Sequence, residues 1–160
     1  MLVRPATAAD HDAIHDLVAT AFDQPDEAVL VDRLRRDGDV AIELVVADGE
    51  APVGHVLFSR LRAPFRALAL APLSVRENRR REGIGARLVG AGLERAAHDG
   101  WQGAFVLGDP AYYTRFGFDA ALAATFACAY AGPYLMATAL GGTLPVTTGQ
   151  IDYPAAFSAL

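Results

Sequence analysis

A run of arginines and glycines at residues 79–86 has the residue types of a phosphate-binding helix start. The run reads RRREGIGA and follows an apolar stretch that ends at Val75. The first N–H groups of a helix lack partners within the helix, and the helix dipole adds partial positive charge there. Gly83 and Gly85 carry no Cβ, so a phosphate can approach the main chain closely, and the arginines add further charge. The run therefore predicts an anion site for a phosphate-bearing cofactor.

Two common phosphate-binding motifs do not match this run. A P-loop continues from its last glycine into lysine and then serine or threonine, whereas alanine and arginine follow Gly85 and the chain contains no lysine. The dinucleotide fingerprint has a third glycine three residues after its second, and Leu88 occupies that position. A nucleotide-binding protein of either kind is therefore disfavoured.

The spacing that remains, Arg80-x-x-Gly83-x-Gly85, resembles the coenzyme A pyrophosphate loop of the GNAT superfamily of N-acetyltransferases. Two further segments are similar to GNAT counterparts and occur in the same order. They read LAPLSV at residues 70–75 and GDPAYYTRFGF at residues 108–118. Residues 149–157 also resemble the end of a branch of small bacterial GNAT proteins, so the resemblance covers nearly the whole chain.

The resemblance implies a single GNAT acetyltransferase domain over residues 1–160. Its fold class is mixed α/β, with a central mixed sheet of about seven strands, about four helices and a splayed pair of parallel strands. The implied activity is transfer of an acetyl group from acetyl-CoA to a primary amine of an unidentified small molecule or peptide, by direct attack with both substrates bound. The alternative is a non-catalytic acyl-CoA sensor or interaction module, which would change partner affinity or oligomeric state instead of releasing thiol.

The resemblance also implies which residues hold the cofactor. Backbone groups freed along the splayed strand would contact the pantetheine arm, and the N–H groups of the loop would bind the pyrophosphate. The residues in this prediction are Leu73, Ser74, Val75, Arg80, Arg81, Glu82, Gly83, Ile84, Gly85, Ala86 and Asp109.

Tyr113 is the predicted catalytic residue. It stands four residues before Gly117, the position of the family's general acid in Tyr-x-x-x-Gly-Phe. There it would donate a proton to the departing thiolate. The alternative is that Tyr112 and Tyr113 only anchor a short helix on the sheet, and Tyr112 replaces Tyr113 if the helix phase differs by one residue.

The general base stays open at this stage. An alkylammonium has a pKa of about 10.4, so the amine must lose a proton before it attacks. Glu43, His55, Asp109 and ordered water are the candidates. His55 lies in a strand and can equally be a hydrogen-bonded core histidine, and Asp109 can equally be a helix N-cap. The remaining histidines lack ligand partners in the pattern, so no metal site is predicted.

The composition fits one compact domain with a substantial core, because 52% of the 160 residues are apolar. No apolar stretch is long enough for a membrane span, and the expected location is the cytoplasm. The net charge of −5 argues against a nucleic-acid partner. The single cysteine, Cys128, is expected to be a small core residue.

Charge is distributed unevenly along the chain. Twelve of the 19 acidic residues lie between Asp10 and Glu50, which would favour a cationic amine or simply form a solvated surface. From residue 120 onward the only charged residue is Asp152. That segment is expected to be buried in the domain, to pair with a second copy in a homodimer, or to line an apolar acceptor channel.

The pattern of apolar residues predicts the elements that position these groups. Helices are expected at residues 7–22, with Thr7 and Asp10 as a capping box, and at residues 83–98, and a further helix that contains Leu30 and Leu34 is expected to stop at Gly38. Strands are expected at residues 2–4, 41–47, 53–59, 66–75 and 103–107, followed by a short helix to residue 115 and then mostly strands. Because Pro72 cannot donate a ladder hydrogen bond, we expect a bulge or an unpaired edge at that point.

Overall fold

The computed structural model of the chain describes residues 2–160, which contain five α-helices and eight β-strands. In chain order they are β1 (Val3–Pro5), α1 (His11–Phe22), α2 (Asp26–Arg36), β2 (Val40–Asp48), β3 (Ala51–Arg60), β4 (Ala67–Val75), α3 (Ile84–His98), β5 (Gly103–Leu107), α4 (Pro110–Tyr113), α5 (Ala120–Ala123), β6 (Phe126–Ala127), β7 (Leu135–Ala139) and β8 (Gly149–Gln150). Within residues 2–160 no helix is both long and apolar enough to cross a bilayer.

Six strands form one mixed sheet in the order β1-β2-β3-β4-β5-β7, and β6 and β8 form a small parallel pair. Two predicted units are confirmed. One is the antiparallel hairpin of β2 and β3, and the other is the parallel pair of β4 and β5, which α3 connects. The capping box is also confirmed, because the Thr7 N–H donates to Asp10 Oδ2 at 2.8 Å. It begins a 3-10 helix, Ala8–Asp10, that leads into α1.

Alternating side chains on the strands bury both faces of the sheet. On β2, Leu44 and Val46 face α3, whereas Val45 packs with the apolar faces of α1 and α2. On β5, Phe105 packs instead with residues of the C-terminal segment, including Phe126. Helices therefore cover both faces of the sheet, and α1 and α2 lie on the face opposite α3.

The predicted irregularity at Pro72 is present. The register between β3 and β4 shifts between the pairs Phe58/Leu70 and Val56/Leu73, so β4 has one residue more than its partner at this point. Pairing of β4 with β5 stops at Leu70. The two parallel strands therefore separate beyond that residue, and a gap opens beside the last residues of β4.

The last quarter of the chain differs from the prediction. Strands occupy only a small part of residues 119–160, and the alanine-rich residues 120–123 form α5. The Asp119 side chain caps that helix by accepting from the Ala121 N–H at 2.8 Å. The other residues of this segment include several glycines and prolines, which disfavour continuous strands. The chain turns at Leu140 and Gly141, directly after β7.

Alanine substitution is expected to have opposite effects on the free energy of unfolding at two glycines of α3. A Cβ on Gly92 would lie 2.2 Å from Phe58 Cε1, whereas a Cβ on Gly90 has nothing within 4 Å. We expect Gly92→Ala to lower the free energy of unfolding by about 1–3 kcal/mol through overpacking. Gly90→Ala should raise it by about 0.5–1 kcal/mol, because alanine favours the helix. Urea denaturation of both variants measures the difference, and equal effects would show that α3 does not pack against β3 at Gly92.

Candidate active site

The start of α3 is shaped by two residues with left-handed backbone. Gly83 is the N-cap of α3 with φ of +78°, a conformation that glycine adopts without strain, and Arg81 has φ of +68°. The left-handed residues turn the chain sharply from the end of β4 into the helix. At the same loop, Arg80 donates a hydrogen bond to the Ala21 carbonyl at 3.3 Å, which ties the loop to the end of α1.

A cavity of about 560 Å³ lies against this helix start, and we refer to it as the loop cavity. Most of the predicted cofactor residues line it together. They are Leu73, Ser74, Val75, Arg80, Arg81, Gly83, Ile84, Gly85 and Ala86. Glu82 is not among them and pairs with Arg79 at 3.0 Å. Asp109 is also elsewhere, because its side chain caps α4 by accepting from the Ala111 N–H at 3.0 Å.

Five lining residues were not in the predicted set: Ala21, Phe22, Arg79, Tyr112 and Arg115. The Arg115 guanidinium lies over the Tyr112 ring, 4.1 Å from its centroid. Their separation of three residues on one helical turn was the available signal, since side chains at i and i+3 meet. With these residues the loop cavity has four arginines and no acidic residue in its lining, which suits an anion.

The residues of the loop cavity fit a pyrophosphate-bearing cofactor. A Cβ on Gly85 would lie only 2.8 Å from the Tyr112 hydroxyl, so the glycine lets that hydroxyl lie against the start of α3. The open N-terminus of a 15-residue helix adds N–H donors and a positive dipole end. Cationic side chains, backbone donors and absent Cβ atoms thus occur in one place.

A second cavity, of about 330 Å³, is lined by residues of both β4 and β5 where these strands separate, and we refer to it as the apolar cavity. Leu73 and Phe22 line both cavities, so the two spaces adjoin at the separated strands. Tyr113 lines the apolar cavity, whereas Tyr112 lines the loop cavity. The two neighbouring tyrosines therefore line different cavities.

Tyr113 is half-buried, and a glycine makes room for its ring. A Cβ on Gly108 would lie 2.4 Å from Tyr113 Cε2, and the ring also packs edge-on against Phe118. Burial, and to a smaller extent Tyr112, raises the pKa of Tyr113 to about 12. The hydroxyl is therefore protonated at neutral pH and has a proton to donate.

Two of the three candidate bases form a buried network that does not line either cavity. Glu43 Oε2 lies 2.7 Å from Nε2 of the fully buried His55, and Glu43 also accepts from Arg35 at 2.5 Å. Because a carboxylate only accepts, His55 Nε2 carries the proton in this pair. The third candidate, Asp109, is the α4 cap. Within residues 2–160 no three His, Cys, Asp or Glu side chains are grouped to hold a metal ion.

The Glu43 carboxyl predicts an acid-sensitive contribution to stability. Burial alone would raise its pKa, but hydrogen bonds from His55 and Arg35 outweigh burial and lower the pKa to about 2 from an ordinary 4.5. A group with a lowered pKa stabilises the fold fully above its unfolded pKa and loses that contribution as pH falls toward the folded pKa. We expect about 2–3 kcal/mol to be lost between about pH 5 and pH 2.

Urea denaturation at several pH values tests this contribution by comparing the wild type with Glu43→Gln. Asp10, whose pKa is also lowered, chiefly by hydrogen bonds from Arg4, contributes in both proteins and cancels in the difference. The variant should be less stable at pH 7 and should lose less stability on acidification. An identical pH dependence in the two proteins would show that Glu43 is not held ionised.

Two parallel strands that separate beside an arginine-lined helix start are the arrangement that the resemblance to acyl-CoA-dependent N-acetyltransferases implied. The chain belongs to the acetyltransferase (GNAT) family, whose family model matches residues 11–118. It is 37% identical over 136 residues to the uncharacterized N-acetyltransferase YhbS of Escherichia coli strain K12, covering 82% of this chain and 81% of YhbS. The expectation from the sequence motifs is thereby confirmed for family and fold.

Two solved structures of GNAT acetyltransferases superpose on nearly the whole chain. The crystal structure of Escherichia coli YhbS in complex with CoA has a TM-score of 0.92 and 32% identity, covering 98% of this chain and 91% of that protein. A GNAT acetyltransferase from Brucella melitensis, in complex with acetyl-CoA, has a TM-score of 0.84 and 29% identity, covering 98% of this chain and 97% of that protein.

Proposed function

We propose that this chain is a single-domain N-acetyltransferase that uses acetyl-CoA as co-substrate and a primary amine as acceptor. The observation that carries the proposal is the junction of the two cavities at Leu73 and Phe22. One cavity offers an anion-binding helix start, and the other has apolar walls and a protonated tyrosine. Such a pair of adjoining spaces suits two substrates that are bound at the same time and react at the junction.

The loop cavity would hold the cofactor through groups of three kinds. Backbone N–H groups at the start of α3 would bind the pyrophosphate, and the lining arginines would neutralise its charge, Arg79 less than the others because it already pairs with Asp48 and Glu82. Beyond Leu70, the edge of β4 that faces β5 no longer pairs with it, so its backbone groups are available to the pantetheine arm. Acetyl-CoA supplies the acyl thioester, whose carbonyl carbon is the centre that the amine attacks.

Tyr113 would act on the leaving group. Its position on the apolar cavity, which Leu73 also lines where the two cavities adjoin, and its protonated hydroxyl support a role as hydrogen-bond and proton donor to the thiolate. The Val75 N–H, near the end of β4, is a backbone donor that would stabilise the developing charge on the carbonyl oxygen. No serine or cysteine nucleophile is needed, because the amine attacks directly.

The experiment that tests the proposal is a calorimetric titration of acetyl-CoA into the purified protein, followed by a thiol-release assay with a panel of amines. We expect micromolar binding and thiol release that depends on the amine. If acetyl-CoA binds but no amine causes thiol release, the result would favour the acyl-CoA sensor. A sensor has no need of the second cavity. The absence of binding by acetyl-CoA and by CoA would overturn the cofactor assignment.

A further inference from the structure

The apolar cavity carries information about the acceptor that the sequence motifs do not. Its walls are formed by buried or half-buried apolar residues such as Leu30 and Phe157. Around them, Phe22, Leu107 and Leu160 line the same cavity and yet are 38%, 43% and 58% exposed. Large apolar side chains gathered at the mouth of a cavity mark a binding site more often than an ordinary surface.

One charged side chain, Glu27, is present among the residues that line the apolar cavity. It lies in the first turn of α2 and accepts from the Gln24 amide at 2.8 and 3.2 Å. Within residues 2–160 no cationic side chain forms an ion pair with it. A neutral amide leaves the carboxylate charge in place, so a cation in the cavity would be attracted and a second carboxylate repelled.

The size of the cavity limits the acceptor further. A volume of about 330 Å³ is at the lower end of the range for small-molecule sites, about 300–1,000 Å³. It suits one aromatic ring or a short alkyl chain with an amino group. A polyamine or an amino sugar would need several polar partners, and among the lining side chains only Glu27 and the Tyr113 hydroxyl offer one, because the Tyr153 hydroxyl is fully buried.

We propose, resting on the function proposed above, that the apolar cavity binds a small primary amine with an apolar body, and that Glu27 binds its ammonium group. The ammonium loses one proton to solvent, its nitrogen then bonds to the acetyl carbonyl carbon and gives up a second proton, which balances the one that the sulfur takes, and the carbon–sulfur bond breaks. The sulfur leaves as thiol after taking a proton. The products are an N-substituted acetamide, CoA and one proton, so the atoms and charges balance.

The test compares amines that differ in one property. 2-Phenylethylamine is the expected substrate class, ethanolamine has the amine without the apolar body, and phenylalanine adds a carboxylate beside the amine. We expect kcat/KM from thiol release to be at least about tenfold higher for 2-phenylethylamine than for either comparator. Calorimetric titration of the same amines into the protein with CoA present should give the same order of affinity, as a readout without turnover.

Glu27→Gln and Asp26→Asn form a matched pair of variants. Each removes one negative charge from the first turn of α2, but of the two only Glu27 lines the apolar cavity. Glu27→Gln should raise the KM for 2-phenylethylamine by about tenfold or more, because it removes a hydrogen bond to a charged group, and should leave acetyl-CoA affinity unchanged. Asp26→Asn should keep the wild-type KM.

The outcomes separate the two proposals. The acceptor assignment would be overturned if ethanolamine or phenylalanine turned over faster than 2-phenylethylamine, or if the KM were unchanged in Glu27→Gln. Thiol release in the same assays would still uphold the acetyltransferase function. Thiol release with other amines but none with 2-phenylethylamine would overturn it in the same way. A failure of acetyl-CoA to bind would instead overturn the function on which the acceptor assignment rests.

Discussion

Gly83→Asp is expected to weaken acetyl-CoA binding by about 100-fold relative to Gly83→Asn. Aspartate and asparagine have nearly the same shape and must adopt the same left-handed backbone at φ of +78°. A Cβ at this position has nothing within 4 Å, so neither side chain collides with the protein. The two variants therefore differ in charge alone, and their comparison measures whether a phosphate lies beside residue 83.

The size of this effect follows from Coulomb's law. Two unit negative charges about 5 Å apart at an effective dielectric constant of about 20 repel by about 3 kcal/mol. Since about 1.4 kcal/mol corresponds to a tenfold change in Kd, the expected ratio is about 100-fold. Asparagine tolerates positive φ better than most residues, so Gly83→Asn should bind within a few-fold of the wild type.

Calorimetric titration gives both dissociation constants, and thermal unfolding of the two variants controls for stability. Equal Kd values for Gly83→Asp and Gly83→Asn would place the cofactor phosphates away from the start of α3. A strong salt dependence of the wild-type Kd is expected as well, because exposed arginines and phosphates are screened by ions.

The sequence was sufficient to predict the part of the fold that lines the loop cavity. The helix start at residues 79–86 combines local signals, namely glycines, arginines and a change from strand to helix pattern, and each acts within a few residues. The bulge at Pro72 is likewise local, because the missing N–H belongs to that residue alone. The structure confirms the bulge and the separation of β4 from β5.

The sequence was less informative where contacts join distant segments. Glu43 and His55 are both plausible bases in a linear pattern, but their pairing with Arg35 on α2 depends on how that helix packs on the sheet. Glu27, by contrast, could not be singled out as a site residue from the sequence, because it is one of many acidic residues in the N-terminal region. Only the fold brings it to the same cavity as Tyr113.

The C-terminal segment shows a third limit. Its low charge allowed burial, pairing with a second copy, or lining an apolar channel, and composition alone does not distinguish these. In the structure Phe157 and Ile151 are buried, and Tyr153 and Leu160 contribute to the apolar cavity. Burial and cavity lining therefore each apply to part of the segment, whereas residues 141–150 are mostly exposed.

Tyr113→Phe is expected to lower kcat by about 100-fold with little change in the affinity for acetyl-CoA. The substitution removes only the hydroxyl, so the ring contacts with Phe118 and the backbone at Gly108 remain. A hydrogen bond to a charged group contributes about 1.5–3 kcal/mol, and general acid catalysis typically contributes 10²- to 10⁴-fold. A donor with a pKa of about 12 is a weak acid, which favours the lower end of that range.

Tyr112→Phe is the matched control, because the two tyrosines are adjacent and line different cavities. It should keep kcat within a few-fold of the wild type, and any effect should appear in the KM for acetyl-CoA, since its hydroxyl faces Gly85. Single-turnover measurements of thiol release with 2-phenylethylamine, or with any amine that supports turnover, separate chemistry from product release. A large loss of kcat in Tyr112→Phe with none in Tyr113→Phe would assign the proton donor to Tyr112. Wild-type rates in both variants would show that neither of these tyrosines donates the proton to the thiolate.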